Sequence, residues 1–381
     1  MPVTSEREDH ERPVVVAALR TPIGTAGGTL ASLSAADLAA PVLRALAEAV
    51  PLPVQEVVLG NCTGPGGDVA RFSALAAGLG TDVPGLTVDR QCGSGLAAVD
   101  VGAALVRPGG VVLAGGVESA STAPLRFWPG DPLVRYERAP FAPAWLGDPD
   151  MGHAADVLAA KAGVARERQD AYAARSHARA VATRDAGGFD AETVPVGGLS
   201  HDERPRPITV ERLARLRPAF RPETEGGTVT AGTSCGVNDG AAVVAVVDAA
   251  THRSLGGPGL RVLATATAGV DPDLPGLGLV PAVRTALSRA GLALADIDVV
   301  ELNEAFAGQV LACCDELGLD PDRVCVEGGA LALGHPWGAS GAVLVVRLFS
   351  QLVRAQRGRY GLAAIAVGGG QGVAMVVERC R

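Results

Sequence analysis

Short runs of β-branched and aliphatic residues, VVVAAL (14–19), EVVLG (56–60), GLTV (85–88) and GVVLAGG (110–116), alternate along the first third of the chain with alanine-rich stretches. The main alanine-rich stretches are SAADLAAPVLRALAEAV (34–50) and GSGLAAVDVGAALV (93–106). Continuous short apolar runs predict strands covered on both faces, and the alanine-rich stretches predict the crossover helices that cover them. An α/β fold follows. The same order of elements returns late in the chain as LRVLATATAG (260–269), PAVRTALSRAGL (281–292), DVVELNEAF (298–306), GGALALGHPWGASGAVLVVRLF (328–349) and LAAIAVGGGQG (362–372).

The recurrence extends to single residues. Val57 to Asn61 lie over Val299 to Asn303, Ser94-Gly95 over Ser340-Gly341, and Gly115-Gly116 over Gly368-Gly369. Three matches in one order indicate two copies of one α/β unit. Residues 1–121 with 239–259 are expected to form the first copy and 260–381 the second. Between them, 122–238 has another texture, with a Pro- and Trp-bearing loop, a charged helix near 164–187 and an Arg/Pro-rich segment. An insertion of that length predicts a lid or ligand-binding loop domain rather than a linker. The triple glycine Gly368–Gly370, ending a strand, predicts a tight turn or backbone pressed close to a ligand.

Composition narrows the function. The 381 residues, 48% of them hydrophobic, are enough for one large core or two ordinary domains. No apolar stretch reaches the roughly 18 residues of a membrane span, and MPVTSEREDHERP lacks the basic and apolar regions of a signal peptide, so a cytoplasmic protein is expected. A net charge of −8 argues against nucleic acid or an anionic membrane as the main partner. Seven cysteines without CxxC spacing suggest neither a disulfide framework nor a metal site, which leaves free thiols that are either small core residues or nucleophiles.

Three stretches carry candidate chemistry. In TVDRQCGSGLAAV, Cys92 stands where a strand meets a helix, and the positive end of the helix dipole is expected to favour its thiolate. In GGALALGHPWGASG, His335 lies in the loop that the repeat pairs with the Cys92 loop, so the two should meet at the centre, where an imidazole can take a thiol proton. In ELNEAFAG, Asn303 and Glu304 follow a strand, and an amide there can hold a water, orient an imidazole or simply form an Asx turn.

Taken together, RQCGSGLAAV, NEAFAG (303–308), GGALALGHPWGASGA (328–342) and GGGQGVA (368–374) resemble the thiolase family of acyl-CoA acetyltransferases and 3-ketoacyl-CoA thiolases. RTPIG (20–24), GGVES (115–119), RPRPITVERLARLRPAF (204–220) and GTVTAGTSCGVNDGAA (227–242) extend the likeness over almost the whole chain. The resemblance implies a thiolase fold, two duplicated α/β halves in α-β-α-β-α layers with an inserted loop domain. It implies an acyltransferase with Cys92 as the acylated nucleophile, His335 as its base, and a water held by Asn303 beside a thioester oxygen. A second oxyanion hole would use the backbone N–H groups of Cys92 and Gly368, while Met151, Cys235, Ala305, Phe306 and Trp337 would line the substrate site. No cofactor is implied beyond a coenzyme A or carrier-protein thioester as substrate, and the partner is a second copy, as homodimer or homotetramer.

The chain also departs from the family pattern. The cysteine that usually moves the α-proton, two residues before the glycine cluster, is Ala366; a serine expected near pantetheine is Cys235; and Asp150 precedes Met151-Gly152 where a histidine is common, with His153 close by. Trp337 replaces an aliphatic residue. Three readings follow: carbanion formation by decarboxylation of a malonyl-type extender, replacement of the lost thiol by Cys235, Cys325 or Cys62, or transfer of the acyl group to oxygen, nitrogen or water, including a role as a non-catalytic partner subunit.

Overall fold

The computed structural model describes residues 12–381; most of the N-terminal MPVTSEREDHERP, where a leader is not expected, lies outside the described residues. The first half runs β1 (Val14–Arg20), α1 (Ala35–Ala49), β2 (Val54–Gly60), α2 (Val69–Ala76), β3 (Gly85–Val88), α3 (Ser94–Leu105) and β4 (Val111–Ser119). A long excursion follows, carrying a small ribbon (Arg126–Trp128 with Val134–Tyr136) and helices α4 (Met151–Lys161) and α5 (Arg166–Asp185), before β5 (Asn238–Val247) completes the half. The second half holds β6 (Gly259–Gly269), α6 (Leu279–Ala290), β7 (Val299–Leu302), α7 (Ala307–Leu317), α8 (Trp337–Phe349), β8 (Tyr360–Val367) and β9 (Gln371–Cys380).

Backbone hydrogen bonds join the strands in the order β7-β8-β9-β6-β1-β5-β4-β2-β3. The two halves repeat one topology: β1-β5-β4-β2-β3 in the first corresponds to β6-β9-β8-β7 in the second, with a parallel bridge at Val300 and Val324 where the fifth strand would lie. They meet through a short antiparallel contact of β1 with β6 at Val14–Arg261 and Val15–Leu260. The connection from β4 to β5 is thus the long excursion, whereas its counterpart from β8 to β9 is only Gly368, Gly369 and Gly370.

One of the three repeat matches is corrected by strand register. Gly60 pairs with Gly116 in the first half and Leu302 with Ala364 in the second, so the counterpart of Gly116 is Ala364, not Gly369. The glycine pairs looked alike by composition while lying at different depths along the equivalent strands.

Side chains alternate between layers, as strand geometry requires. In β5, Ala242, Val244 and Val246 enter the central core, while Val243, Ala245 and Val247 pack outward beneath α1 and α2. In β9, Val373, Met375 and Val377 face the centre and Ala374 and Val376 the layer under α6 and α7. Helices α3 and α8 form the middle layer, which gives α-β-α-β-α. Gly95 and Gly341 let these two helices cross backbone to backbone. A Cβ on Gly95 would lie 2.7 Å from Gly338 O, and one on Gly341 would lie 2.4 Å from Leu96 N.

Candidate active site

The crossing of α3 and α8 brings the loops at their N-termini together. Before α3, Gln91 takes a left-handed conformation (φ +46°), braced by its own N–H on Asp89 Oδ1 at 2.8 Å and by Ser94 Oγ, which donates to Gln91 O at 2.6 Å. Cys92 follows at the head of the helix. A Cβ on Gly93 would meet Val367 Cγ2 at 2.7 Å, so this loop leans on the last residue of β8. The glycine cluster beside it is a tight turn, with Gly369 and Gly370 at φ +79° and +76°, and it is also close to the site. The expected tight turn is therefore met, and the turn borders the cavity wall through Gly368.

Burial pushes the Cys92 thiol up to about 12, against the pull of the backbone N–H groups of Cys92 itself and of Gly368. The expected thiolate is thus corrected. The helix dipole contributes a partial charge over one turn, and the loss of water around sulfur outweighs it.

His335 follows a short helix (Ala330–Leu333) and a turn at Gly334. Its backbone N–H donates to Asn238 Oδ1 at 2.9 Å, and its Nδ1 shares a 2.6 Å hydrogen bond with Ser340 Oγ on α8. Burial lowers its pKa to about 4, so the ring is neutral at physiological pH. With Nδ1 engaged, Nε2 is the nitrogen left for the cavity.

Cys92, His335 and Gly368 share the wall of one cavity of about 120 Å³. Met151 from α4, Cys235 from the end of the excursion, and Ala305, Phe306 and Trp337 from the second half line the same space, as does the methyl group of Ala366. Eight of the nine site residues expected from sequence therefore converge. Asn303 does not. It is buried in a separate narrow space with Ser340 and Glu301, and its Nδ2 has no hydrogen-bond partner.

Known proteins bear directly on this arrangement. Residues 13–250 match the description "Thiolase, N-terminal domain" and residues 258–379 match "Thiolase, C-terminal domain". The chain belongs to the thiolase family. It is similar to an acetyl-CoA acetyltransferase of Pseudomonas aeruginosa, 43% identical over 392 residues (96% of this chain, 99% of the relative). A β-ketoadipyl-CoA thiolase of the same organism is 44% identical over 395 residues (95% and 98%). The crystal structure of the Bacillus anthracis acetyl-CoA acetyltransferase superposes with a TM-score of 0.89 at 38% identity, covering 97% of this chain and 99% of that one. This thiolase is accordingly an acyltransferase of that superfamily.

Several residues that shape the site escaped sequence reasoning. Glu118, fully buried, accepts from the N–H of Cys62 at 3.1 Å and of Gly338 at 3.0 Å, clamping a loop of each half. Its only signal was its place in GGVES. Glu304, noted only as Asn303's neighbour, accepts from Tyr172 Oη at 2.9 Å and Ser176 Oγ at 2.7 Å, which ties α5 to the second half. Burial raises its pKa. Gln309, on α7, completes the cavity wall and had no distinguishing motif. Among the described residues, no helix is long and apolar enough to cross a membrane.

Proposed function

We propose that this thiolase forms or cleaves the carbon–carbon bond of a 3-ketoacyl thioester through an acyl-Cys92 intermediate. The observation that carries the proposal is the meeting of a thiol, a neutral imidazole and the Gly368 N–H on one largely apolar cavity wall. A protonated Cys92 needs a base, and neutral His335, oriented by Ser340, can take its proton as the sulfur attacks. The N–H groups of Cys92 and Gly368 would then face the oxyanion formed on the acyl carbon, where one good donor is worth roughly 3–4 kcal/mol. The unpartnered Nδ2 of Asn303, next to Ser340, suits a water held behind the imidazole.

The names of the relatives favour coenzyme A over a carrier protein as the thioester's handle, and acetyl groups as the first to try. The inserted segment 122–238 contributes Met151 and Cys235 to the wall and is the natural binding region for that handle. The open edge of β3, with Leu86 exposed and Phe72 of α2 exposed nearby, is the place where a second copy would add to make the homodimer, itself the unit of any homotetramer.

A second route, decarboxylative condensation of a malonyl-type thioester, is favoured by one observation: Ala366 presents a methyl group where an acid or base is otherwise needed. Intact-protein mass spectrometry tests the central claim. Acetyl-CoA should add one acetyl mass to the wild-type protein and none to Cys92→Ala; an adduct persisting in the variant would remove Cys92 from the mechanism.

A further inference from the structure

Proton traffic at the cavity is restricted by what lines it. The wall has three groups able to exchange a proton, namely Cys92, His335 and Cys235; its other members are apolar residues, glycines and Gln309. Cys325 and Cys62, the other thiols considered as replacements, lie off that wall. Cys325 donates to Leu302 O at 3.2 Å, and Cys62 donates to Gln91 O at 3.0 Å behind the nucleophile loop.

We infer that Cys235 is the catalytic acid and base of the carbon–carbon step, replacing from another segment of the chain the thiol that Ala366 lacks. The inference rests on the reading of Cys92 as the acylated nucleophile. Cys235 is firmly placed. Its N–H donates to Ala305 O at 2.9 Å, and the adjacent Ser234 bridges to Phe306, so the two segments run together like paired strands.

Arg204 supplies a charge to match. A Cβ on Gly236 would lie 2.4 Å from Arg204 Nη1, which puts the guanidinium against the backbone next to Cys235. Among the described residues no carboxylate pairs with Arg204, and its buried Nε has no partner. The charged and titratable groups that act on Cys235 are Cys92, Arg204 and Glu304. Burial, then Cys92, pushes Cys235 up to about 12, while Arg204 pulls it down. At rest the thiol is therefore protonated, and an adjacent cation stabilises the thiolate left when it gives its proton away.

In thiolysis, Cys92 gives its proton to His335 and its sulfur attacks C3 of the 3-ketoacyl thioester. The C2–C3 bond breaks, the acyl group stays on Cys92, and the electron pair of the broken bond goes to C2. That carbanion takes the proton of Cys235, releasing the shortened thioester, and the imidazolium returns its proton to the Cys235 sulfur. A coenzyme A thiol then gives its proton to His335 and attacks the acyl carbon; the new acyl-CoA leaves, and the Cys92 sulfur takes the proton back from the imidazolium. Condensation is the reverse, with Cys235 removing the α-proton. No oxidant, reductant or loss of carbon dioxide is required.

The test uses the full-length protein and Cys235→Ser, which changes one sulfur to oxygen. Three quantities are followed: the acetyl-Cys92 adduct, exchange of the C2 hydrogens of acetyl-CoA for deuterium in heavy water, and kcat for thiolysis of acetoacetyl-CoA. In Cys235→Ser the adduct should still form, while exchange and thiolysis fall by about 100-fold or more, the usual contribution of a proton carrier. The double variant C235S/A366C should recover both, because it returns a thiol to the vacant place. Exchange in C235S within about threefold of wild type would overturn the inference, since that is far below such a contribution. So would loss of the adduct in C235S, which would make Cys235 a structural residue, or absence of exchange in the wild-type protein, which would favour decarboxylation. Failure of the wild-type protein to form the adduct would instead strike the acyl-Cys92 reading.

Discussion

Replacing Gly341 by alanine sets two predictable effects against each other. Alanine is favoured over glycine inside a helix by about 1 kcal/mol, so secondary structure alone predicts that α8 gains stability. The new methyl group, however, would lie 2.4 Å from Leu96 N, 2.7 Å from Leu96 Cβ and 3.1 Å from Leu96 Cα. Ordinary contact begins near 3.4 Å, so α8 and α3 must separate by about 1 Å, and a backbone neighbour cannot rotate aside. Overpacking of this kind costs roughly 1–3 kcal/mol, and the backbone contact argues for that upper end, leaving a net loss of about 2 kcal/mol. In a chain of this length that lowers Tm by roughly 2–3 °C. Activity should suffer more. Ser340, the preceding residue, holds His335, and a misplacement of about 1 Å at reacting groups can cost on the order of 100-fold. Gly269→Ala at the end of β6 is the control, because its new methyl would meet nothing nearer than Gly370 O at 3.9 Å, and stability should change little. Calorimetry and acetoacetyl-CoA thiolysis on the two variants decide it. A Gly341→Ala protein as stable and active as wild type would refute the close crossing of the helices.

Three other outcomes follow from burial. His335 titrates near 4 when folded and near 6.5 when unfolded, so its contribution is present above pH 6.5 and is lost as the pH falls towards 4, about 3 kcal/mol in all. Urea unfolding should show His335→Asn losing correspondingly less stability than wild type over that range. Glu192 lies between Arg20, bonded at 2.7 Å, and Arg347, both buried; Glu192→Ala should cost about 3–5 kcal/mol in denaturant titrations, much more than an exposed pair. Alkylation of Cys92 by iodoacetamide should keep rising between pH 8 and 10, since burial holds the thiol near 12; a plateau near pH 7 would show that the dipole prevails.

Much of the architecture was legible because it is written in short-range pattern. The doubly covered strands, the Ser34-led helix and the repeated order of elements all follow from neighbours a few residues apart. The loops of Cys92 and His335 could be paired for the same reason: a duplicated unit sets equivalent loops opposite each other. Gly115-Gly116 was mismatched because composition carries no register, which the pairing of Gly60 with Gly116 supplies. Asn303 was expected to hold a water, orient the imidazole or form an Asx turn; of these the orienting role falls to Ser340, five residues beyond His335 on α8, which takes Nδ1. Helical geometry brings that hydroxyl back over the loop, while Asn303 turns into a separate buried space.

The sequence by itself determined the family and the fold and singled out Cys92 as the candidate nucleophile, because these rest on residue types at set positions within continuous segments. Tertiary structure alone decided the charge states and the company of the site. Whether Cys92 is thiol or thiolate, and whether His335 is neutral, depends on how much water is excluded by atoms from both halves. No local motif records that sum. The place of Cys235 was decided in the same way: the excursion between β4 and β5 returns to the three-glycine turn that is its counterpart, and it delivers a thiol to the cavity bordered by Ala366.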